Sequence, residues 1–225
     1  MIRALLFDLG GTLDGEGHWL ERFLTLYRRF GVELPRETIR DAFDEAERRA
    51  AVDEQISSAR FDEMVAMHVR WQLERLGLTN DDLARDLIAG FTTSARAAAR
   101  ENARLLATLT DRGFALGVVS NGCGNVDNLC ADFGYTPYLS LIVDSRRIGI
   151  SKPDPAIYQY AADIMNHAPE VTMMIGDSFE RDVVPAKKVG MKTAWLEADD
   201  RRVCPDLSLV DLRLRQLSDL SAALP

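Results

Sequence analysis

Five short apolar, β-prone runs punctuate this chain, at Ile2 to Phe7, Phe114 to Val119, Leu139 to Val143, Val171 to Ile175 and Lys192 to Leu196. From the second run onward, helix-like stretches separate them. Strands that alternate with helices pair side by side as a parallel sheet with the helices on its faces, so this spacing predicts an α/β fold. Each of the first four runs breaks into polar or small residues: Asp8-Leu9-Gly10-Gly11-Thr12, Ser120-Asn121-Gly122, the segment from Asp144 to Lys152, and Gly176-Asp177-Ser178. Ligands of open α/β sheets bind outside the carboxyl ends of the strands, so these four loops are expected to meet at one crevice.

Between Gly15 and about Arg100 the β runs disappear and long amphipathic stretches replace them: Trp19 to Phe30, Arg36 to Val52, Phe61 to Leu76 and Asn80 to Ala99. This reads as a helical bundle inserted after the first strand. Gly31, Pro35 and the segment Gly77 to Thr79 mark its breaks, and Asn80 is placed to cap a helix. A further helix from Leu105 ends near Gly113, which sets a boundary at residues 95–100. The expected organisation is a Rossmann-like parallel sheet core over residues 1–14 and 97–225, with an inserted all-helical domain over 15–96. There is no internal repeat and no low-complexity segment.

At 225 residues and 47% hydrophobic content the chain can fill such a core. Its net charge of -8, from 27 basic and 35 acidic residues, provides no electrostatic footprint for nucleic acid or an acidic membrane face. The first apolar run, Ala4 to Phe7, stops at Asp8 and is too short for a signal peptide or a membrane span, so the expectation is a soluble, cytoplasmic protein. Cys123, Cys130 and Cys204 show neither a C-x-x-C pair nor neighbouring histidines and read as reduced thiols. Nothing marks a dimer face, which leaves the oligomeric state open.

The strand-end residues form a chemical set. Asp8 offers a carboxylate able to attack phosphorus, within a glycine-bearing turn that can fold around a small anion. Ser120 offers a hydroxyl beside the backbone N–H groups of Asn121 and Gly122. Lys152 offers a fixed positive charge, and no other lysine precedes Lys187. Asp177 and Asp182 supply oxygen ligands that, with Asp8, suit a hard cation such as Mg²⁺. Singly, Asp8 and Asp177 read equally well as turn or helix-cap residues, Lys152 as a solvated loop residue and Asp182 as a surface charge. Placing nucleophile, hydroxyl, cation and metal carboxylates at four different strand ends favours the functional reading.

Phe7-Asp8-Leu9-Gly10-Gly11-Thr12-Leu13-Asp14 resembles the first motif of the haloacid-dehalogenase-like superfamily. Val118-Val119-Ser120-Asn121, Ser151-Lys152-Pro153-Asp154-Pro155 and Gly176-Asp177 to Asp182 resemble its second, third and fourth, in that order. The helical insert is similar to that family's C1-type cap. The resemblance implies a Mg²⁺-dependent phosphatase acting on a small phosphorylated metabolite. Asp8 would become an aspartyl-phosphate that water hydrolyses. Ser120, Asn121 and Lys152 would hold the phosphoryl group, with Lys152 also holding Asp8. Asp8, the Gly10 carbonyl and Asp177 would bind the metal, with Asp182 supporting them.

One position departs from the family's phosphatase pattern: Gly10 stands where an aspartate commonly acts as general acid and base. Such help is worth roughly 10²–10⁴-fold, so turnover slows and acyl or anomeric phosphates suffer least. Asp14, Glu16 and His18 lie close enough in sequence to substitute, although His18 also reads as an exposed residue at a helix start. His68 and His167 read as helix-surface residues, while His18, Trp19, Arg22 and Arg60 are possible substrate contacts. Two rivals follow from Gly10, a non-catalytic phospho-ligand binder and a haloacid dehalogenase. The dehalogenases resembled usually carry a tyrosine at position 10 and lack the metal aspartate, whereas Asp177 is present. A phosphonoacetaldehyde hydrolase would need a cap lysine, and none lies between Asp14 and Arg100.

Overall fold

The computed structural model describes residues 1–197 and 204–224; the part of the expected core over 198–203 and at 225 lies outside them. Strands β1 (Ala4–Phe7), β2 (Ala115–Ser120), β3 (Leu141–Asp144), β4 (Thr172–Gly176), β5 (Lys192–Leu196) and β6 (Leu212–Leu214) form one sheet in the order β3-β2-β1-β4-β5-β6. Every pairing is parallel. β1 lies between β2 and β4, with Phe7 opposite Val118 and Ile175, and all four of its residues are buried. A strand covered on both faces has no solvent side, which is why its sequence is continuously apolar rather than alternating. The chain winds outward through β2 and β3, then crosses back to start β4 on the other side of β1. The order therefore reverses beside β1, and the crevice of a doubly wound sheet opens at that point.

The helices are α1 (Trp19–Arg29), α2 (Arg36–Val52), α3 (Phe61–Leu76), α4 (Asp81–Asp111), α5 (Val126–Asp132), α6 (Ser145–Ile148), α7 (Ala156–Met165), α8 (Val184–Lys188) and α9 (Leu220–Ala223). α1 to α4 bring an aromatic core together. Phe23 of α1 stacks on Phe91 of α4 with centroids 4.5 Å apart, and Trp19 meets Phe91 edge-on at 4.6 Å. Asn80 caps α4 as expected, its side chain accepting from the N–H groups of Asp82 and Leu83.

Two sequence expectations change here. The stretches Asn80 to Ala99 and Leu105 to about Gly113, read as two helices, are one, because α4 runs unbroken for 31 residues across both. Between Gly90 and Gly113 there is no glycine or proline, and Ala95-Arg96-Ala97-Ala98-Ala99 is a strongly helix-forming run. The other change is β6, which was not anticipated: its Leu212-Arg213-Leu214 sequence carries no apolar run, and Arg213 instead donates to Glu197 at 2.8 Å.

The helical segment is stitched to the sheet domain. Arg146 Nη1 donates to the carbonyls of Asp53 and Cys123, each at 3.0 Å, Asn128 donates to the Ser58 carbonyl at 2.9 Å, and the Phe61 N–H donates to Asp132 at 2.8 Å. Among the described residues, no helix is long and apolar enough to cross a membrane. Because Phe91 is fully buried and stacked on Phe23 of α1, Phe91→Ala is expected to cost about 3–5 kcal/mol, read as a lowered midpoint in urea unfolding.

Candidate active site

Asp8 leaves β1 with its N–H bonded to the Ile175 carbonyl at 2.9 Å, extending the β1–β4 ladder by one residue and fixing the carboxylate beside β4. Its Oδ1 accepts from the Leu9 N–H at 2.8 Å and from Lys152 Nζ at 2.7 Å. Both of these bonds fall on Oδ1, so Oδ2 keeps its lone pairs for chemistry. Lys152 Nζ also donates to Asp182 Oδ1 at 2.8 Å, and the Asp182 side chain is fully enclosed. Asp182 Oδ2 accepts from the Ser178 N–H at 3.0 Å. The Tyr158 hydroxyl donates to the Arg181 carbonyl at 2.6 Å and stands 3.3 Å from Asp182 Oδ1.

Burial alone would lower the Lys152 pKa, but Asp182 and Asp8 outweigh it and the pKa rises, which keeps the ammonium charged. Burial pushes the Asp182 carboxyl upward against the pull of Lys152. Asp8, Asp177 and Asp182 each present a carboxylate oxygen within 4.8 Å of the others, and all three residues are buried. Such a hard, anionic oxygen set fits a divalent cation.

Glycines make this convergence possible. A Cβ on Gly176 would lie 2.2 Å from Asp182 Oδ2, so only glycine lets that carboxylate fold back against the end of β4. Gly11 has φ +83° and faces Asp177, where a Cβ would approach Oδ2 to 3.0 Å. Asn121 plays a part that the sequence did not reveal. Its side chain clamps the backbone of Lys152, accepting from the Lys152 N–H at 2.8 Å and donating to its carbonyl at 2.9 Å.

A cavity of about 140 Å³ opens above this group, lined on the sheet side by Asp8, Gly10, Ser120, Asn121 and Lys152. Asp177 and Asp182 lie behind that lining, within the acidic cluster. Of the residues weighed as substitutes for an acid at position 10, Asp14 and His18 line the cavity, whereas exposed Glu16 instead accepts from the Leu217 N–H at 3.0 Å. Asp14 is buried and already engaged: Oδ1 accepts from the Gly11 N–H at 2.7 Å and Oδ2 from Trp19 Nε1. Burial raises its pKa while Arg22, with Nη1 3.5 Å away, opposes the rise. His18 begins α1, half-buried, with Nδ1 accepting from the Leu20 N–H at 3.2 Å. Trp19 also lines the cavity, but Arg22 turns towards Asp14 and Phe91, and Arg60 pairs with Asp132 at the seam between insert and core.

His68 corrects the sequence reading, because it is buried rather than at a helix surface. It belongs to a chain of hydrogen bonds across three helices. Tyr27 OH donates to Gln72 Oε1 at 3.3 Å, Gln72 Nε2 lies 2.8 Å from His68 Nδ1, and His68 Nε2 lies 2.9 Å from Glu47 Oε1. His167 is half-buried beyond the end of α7, its Nδ1 bonded to the Met165 carbonyl at 2.6 Å. Cys123 and Cys130 are free thiols whose pKa values burial pushes up to about 12.

The family model for haloacid dehalogenase-like hydrolases matches residues 2–190. The chain belongs to that family. Phosphoserine phosphatase of Thermus thermophilus is 34% identical over 113 residues, which are 48% of this chain and 45% of that protein. The chain thus spans less than half the length of this curated relative. A crystal structure of a dehalogenase superposes with a TM-score of 0.69 at 19% identity, covering 99% of this chain and 97% of the other. A haloacid dehalogenase-like phosphatase from Thermococcus onnurineus superposes with a TM-score of 0.59 at 20% identity, again covering 99% and 97%. At these identities the superpositions establish the shared fold.

Removing Lys152 would leave Asp8 and Asp182 buried without their shared cation. Lys152→Met is therefore expected to cost about 3–5 kcal/mol of stability, measured by denaturant unfolding in EDTA.

Proposed function

We propose that this family member is a Mg²⁺-dependent phosphatase that hydrolyses a small phosphorylated metabolite, with Asp8 as nucleophile. The observation that carries the reading is the Lys152 ammonium held between Asp8 and Asp182 at 2.7 and 2.8 Å, at the floor of a cavity that Ser120 and Asn121 also line. Asp8 Oδ2 forms a bond to phosphorus as the bond to the leaving-group oxygen breaks, and the departing oxygen takes its proton from water. A second water then attacks the phosphoryl group and releases the Asp8 carboxylate. The Ser120 hydroxyl, Lys152 Nζ and the backbone N–H groups of Asn121 and Gly122 bind the phosphoryl oxygens and stabilise charge as it develops.

Asp8, Asp177 and the Gly10 carbonyl would hold the metal, whose charge lets an anionic nucleophile approach an anionic phosphate. Asp182 is better suited to support, because its oxygens already face Lys152 and the Ser178 N–H. In the same reading, residues 15–96 form the cap over the site and residues 1–14 and 97–225 the catalytic core, in a cytoplasmic protein. The superposed dehalogenase gives halide displacement a place as the alternative. Asp177 argues against it, since displacement of halide needs no third buried carboxylate beside Asp8.

Phosphate release from a panel of alkyl, aryl and acyl phosphates is expected with Mg²⁺ and lost in EDTA and in Asp8→Asn. Magnesium-dependent binding of those phosphates without turnover would favour a non-catalytic binder instead. A Cβ at Gly10 meets nothing nearer than Trp19 Nε1 at 3.8 Å, and Gly10 has the ordinary backbone angles φ -74° and ψ 119°. Gly10→Asp should therefore fold normally and raise kcat on alkyl phosphates by roughly 10²-fold or more while changing acyl phosphate turnover far less.

A further inference from the structure

The hydrogen-bond chain on the helical side of the cavity has a direction. The hydroxyl of Tyr27 donates to Gln72 Oε1, which turns the Gln72 amide so that Nε2 donates to His68 Nδ1. His68 then carries its proton on Nε2 and donates it to Glu47 Oε1. Tyr27, Gln72 and His68 are buried, whereas the Glu47 side chain is 55% exposed and lines the cavity. Three buried polar groups drawn from α1 and α3 thus orient one carboxylate of α2 where a ligand would sit. Nothing in helix packing requires this, since apolar side chains fill such positions at lower cost.

Glu47 lines the cavity with more than half of its side chain exposed. Burial works against its charge, but the bond from His68 and the nearby His18 and Arg181 outweigh it and hold the carboxyl below its ordinary value. Among the described residues its ion-pair partner is His68; Arg181, also at the cavity, donates instead to Ser178 Oγ at 3.3 Å.

The other walls are mixed in charge, since Lys152 and Arg181 also line the cavity, but Lys152 is held by Asp8 and Asp182 and Arg181 is turned to Ser178 Oγ. Trp19, Phe43, Phe61 and Phe133 line the cavity, and aromatic faces attract cations. Asp14 adds a second carboxylate, with both of its oxygens already accepting from backbone and indole donors. We infer that Glu47 is a specificity-determining residue that binds a protonated amine on the leaving group, so that the substrate is an amine-bearing phosphate monoester. This rests on the phosphatase reading for the phosphoryl end. At the far end, Glu47 Oε2 accepts from the ammonium while Oε1 stays with His68, and an anionic leaving group would face the Glu47 carboxylate.

The test is calorimetric binding of aminoethylphosphonate, hydroxyethylphosphonate and carboxymethylphosphonate to the full chain with Mg²⁺, because these probes share one phosphonate and cannot be turned over. The amine should bind roughly tenfold or more tightly than the alcohol, with the carboxylate weakest. In Glu47→Gln the amine-to-alcohol ratio should fall to about one, since a neutral amide loses the charge-assisted contact. Tyr27→Phe, which cuts the chain at its buried end, should lower the ratio part-way, a change that general destabilisation would not single out. Equal binding of amine and alcohol by the wild type, no binding of any probe, or an unchanged ratio in Glu47→Gln would overturn the inference. Failure of an aryl phosphate to turn over would overturn the phosphatase reading alone, leaving the binding ratio to decide on Glu47.

Discussion

A buried ammonium shared by two carboxylates organises this molecule. Lys152 comes from the segment after β3, Asp8 from the end of β1 and Asp182 from beyond β4, so the contact forms only when three distant pieces of chain have reached their places. Each charge would be costly to bury alone, and the pairing offsets that cost only if the geometry is tight. The surroundings supply that geometry. Asn121 grips the Lys152 backbone, Gly176 leaves space for Asp182, and the Ile175 carbonyl fixes the Asp8 backbone. With Asp177 nearby, three carboxylates face one ammonium, and the remaining negative charge is what a divalent cation would neutralise.

The sheet was legible in the sequence because its central strands are buried on both faces and must be apolar throughout. β1 and β4 left continuous runs, and their polar ends marked Asp8 and Asp177. β6 left no such mark, since a three-residue edge strand can form around an arginine. Helices α2 and α3 were placed correctly at both ends, where Pro35 and Gly77 give local stop signals. The continuity of α4 is encoded only as the absence of any glycine or proline between Gly90 and Gly113, a weaker signal than a cap or a stop.

At the site, strand ends revealed which residues carry charge but not how they divide the work. Asp182 and Asn121 read as residues of the metal and phosphoryl sites, and their side chains also hold Lys152 from its two ends, the ammonium and the backbone. Glu47 was invisible because Asp44-Glu45-Ala46-Glu47-Arg48-Arg49 offers several equivalent charges, and only the three-dimensional placement of His68 and Gln72 on the neighbouring helix distinguishes one of them. No local pattern encodes a relay whose members are 45 residues apart.

α4 joins the two halves of the protein as one rigid rod about 46 Å long, at 1.5 Å per residue. Its first turns pack into the helical bundle through Phe91, while beyond them Asn102 bonds the Leu13 carbonyl in the loop that follows Asp8. The other connection, from Asp14 to His18, contains Gly15 and Gly17, both at positive φ. Two covalent connections therefore join the halves, one a continuous helix and the other a short loop beside the Asp14–Trp19 contact. Any change in the angle between the halves has to be absorbed by that helix, by the loop that follows Asp8, or by breaking the bonds that Arg146, Asn128 and Phe61 make across the seam.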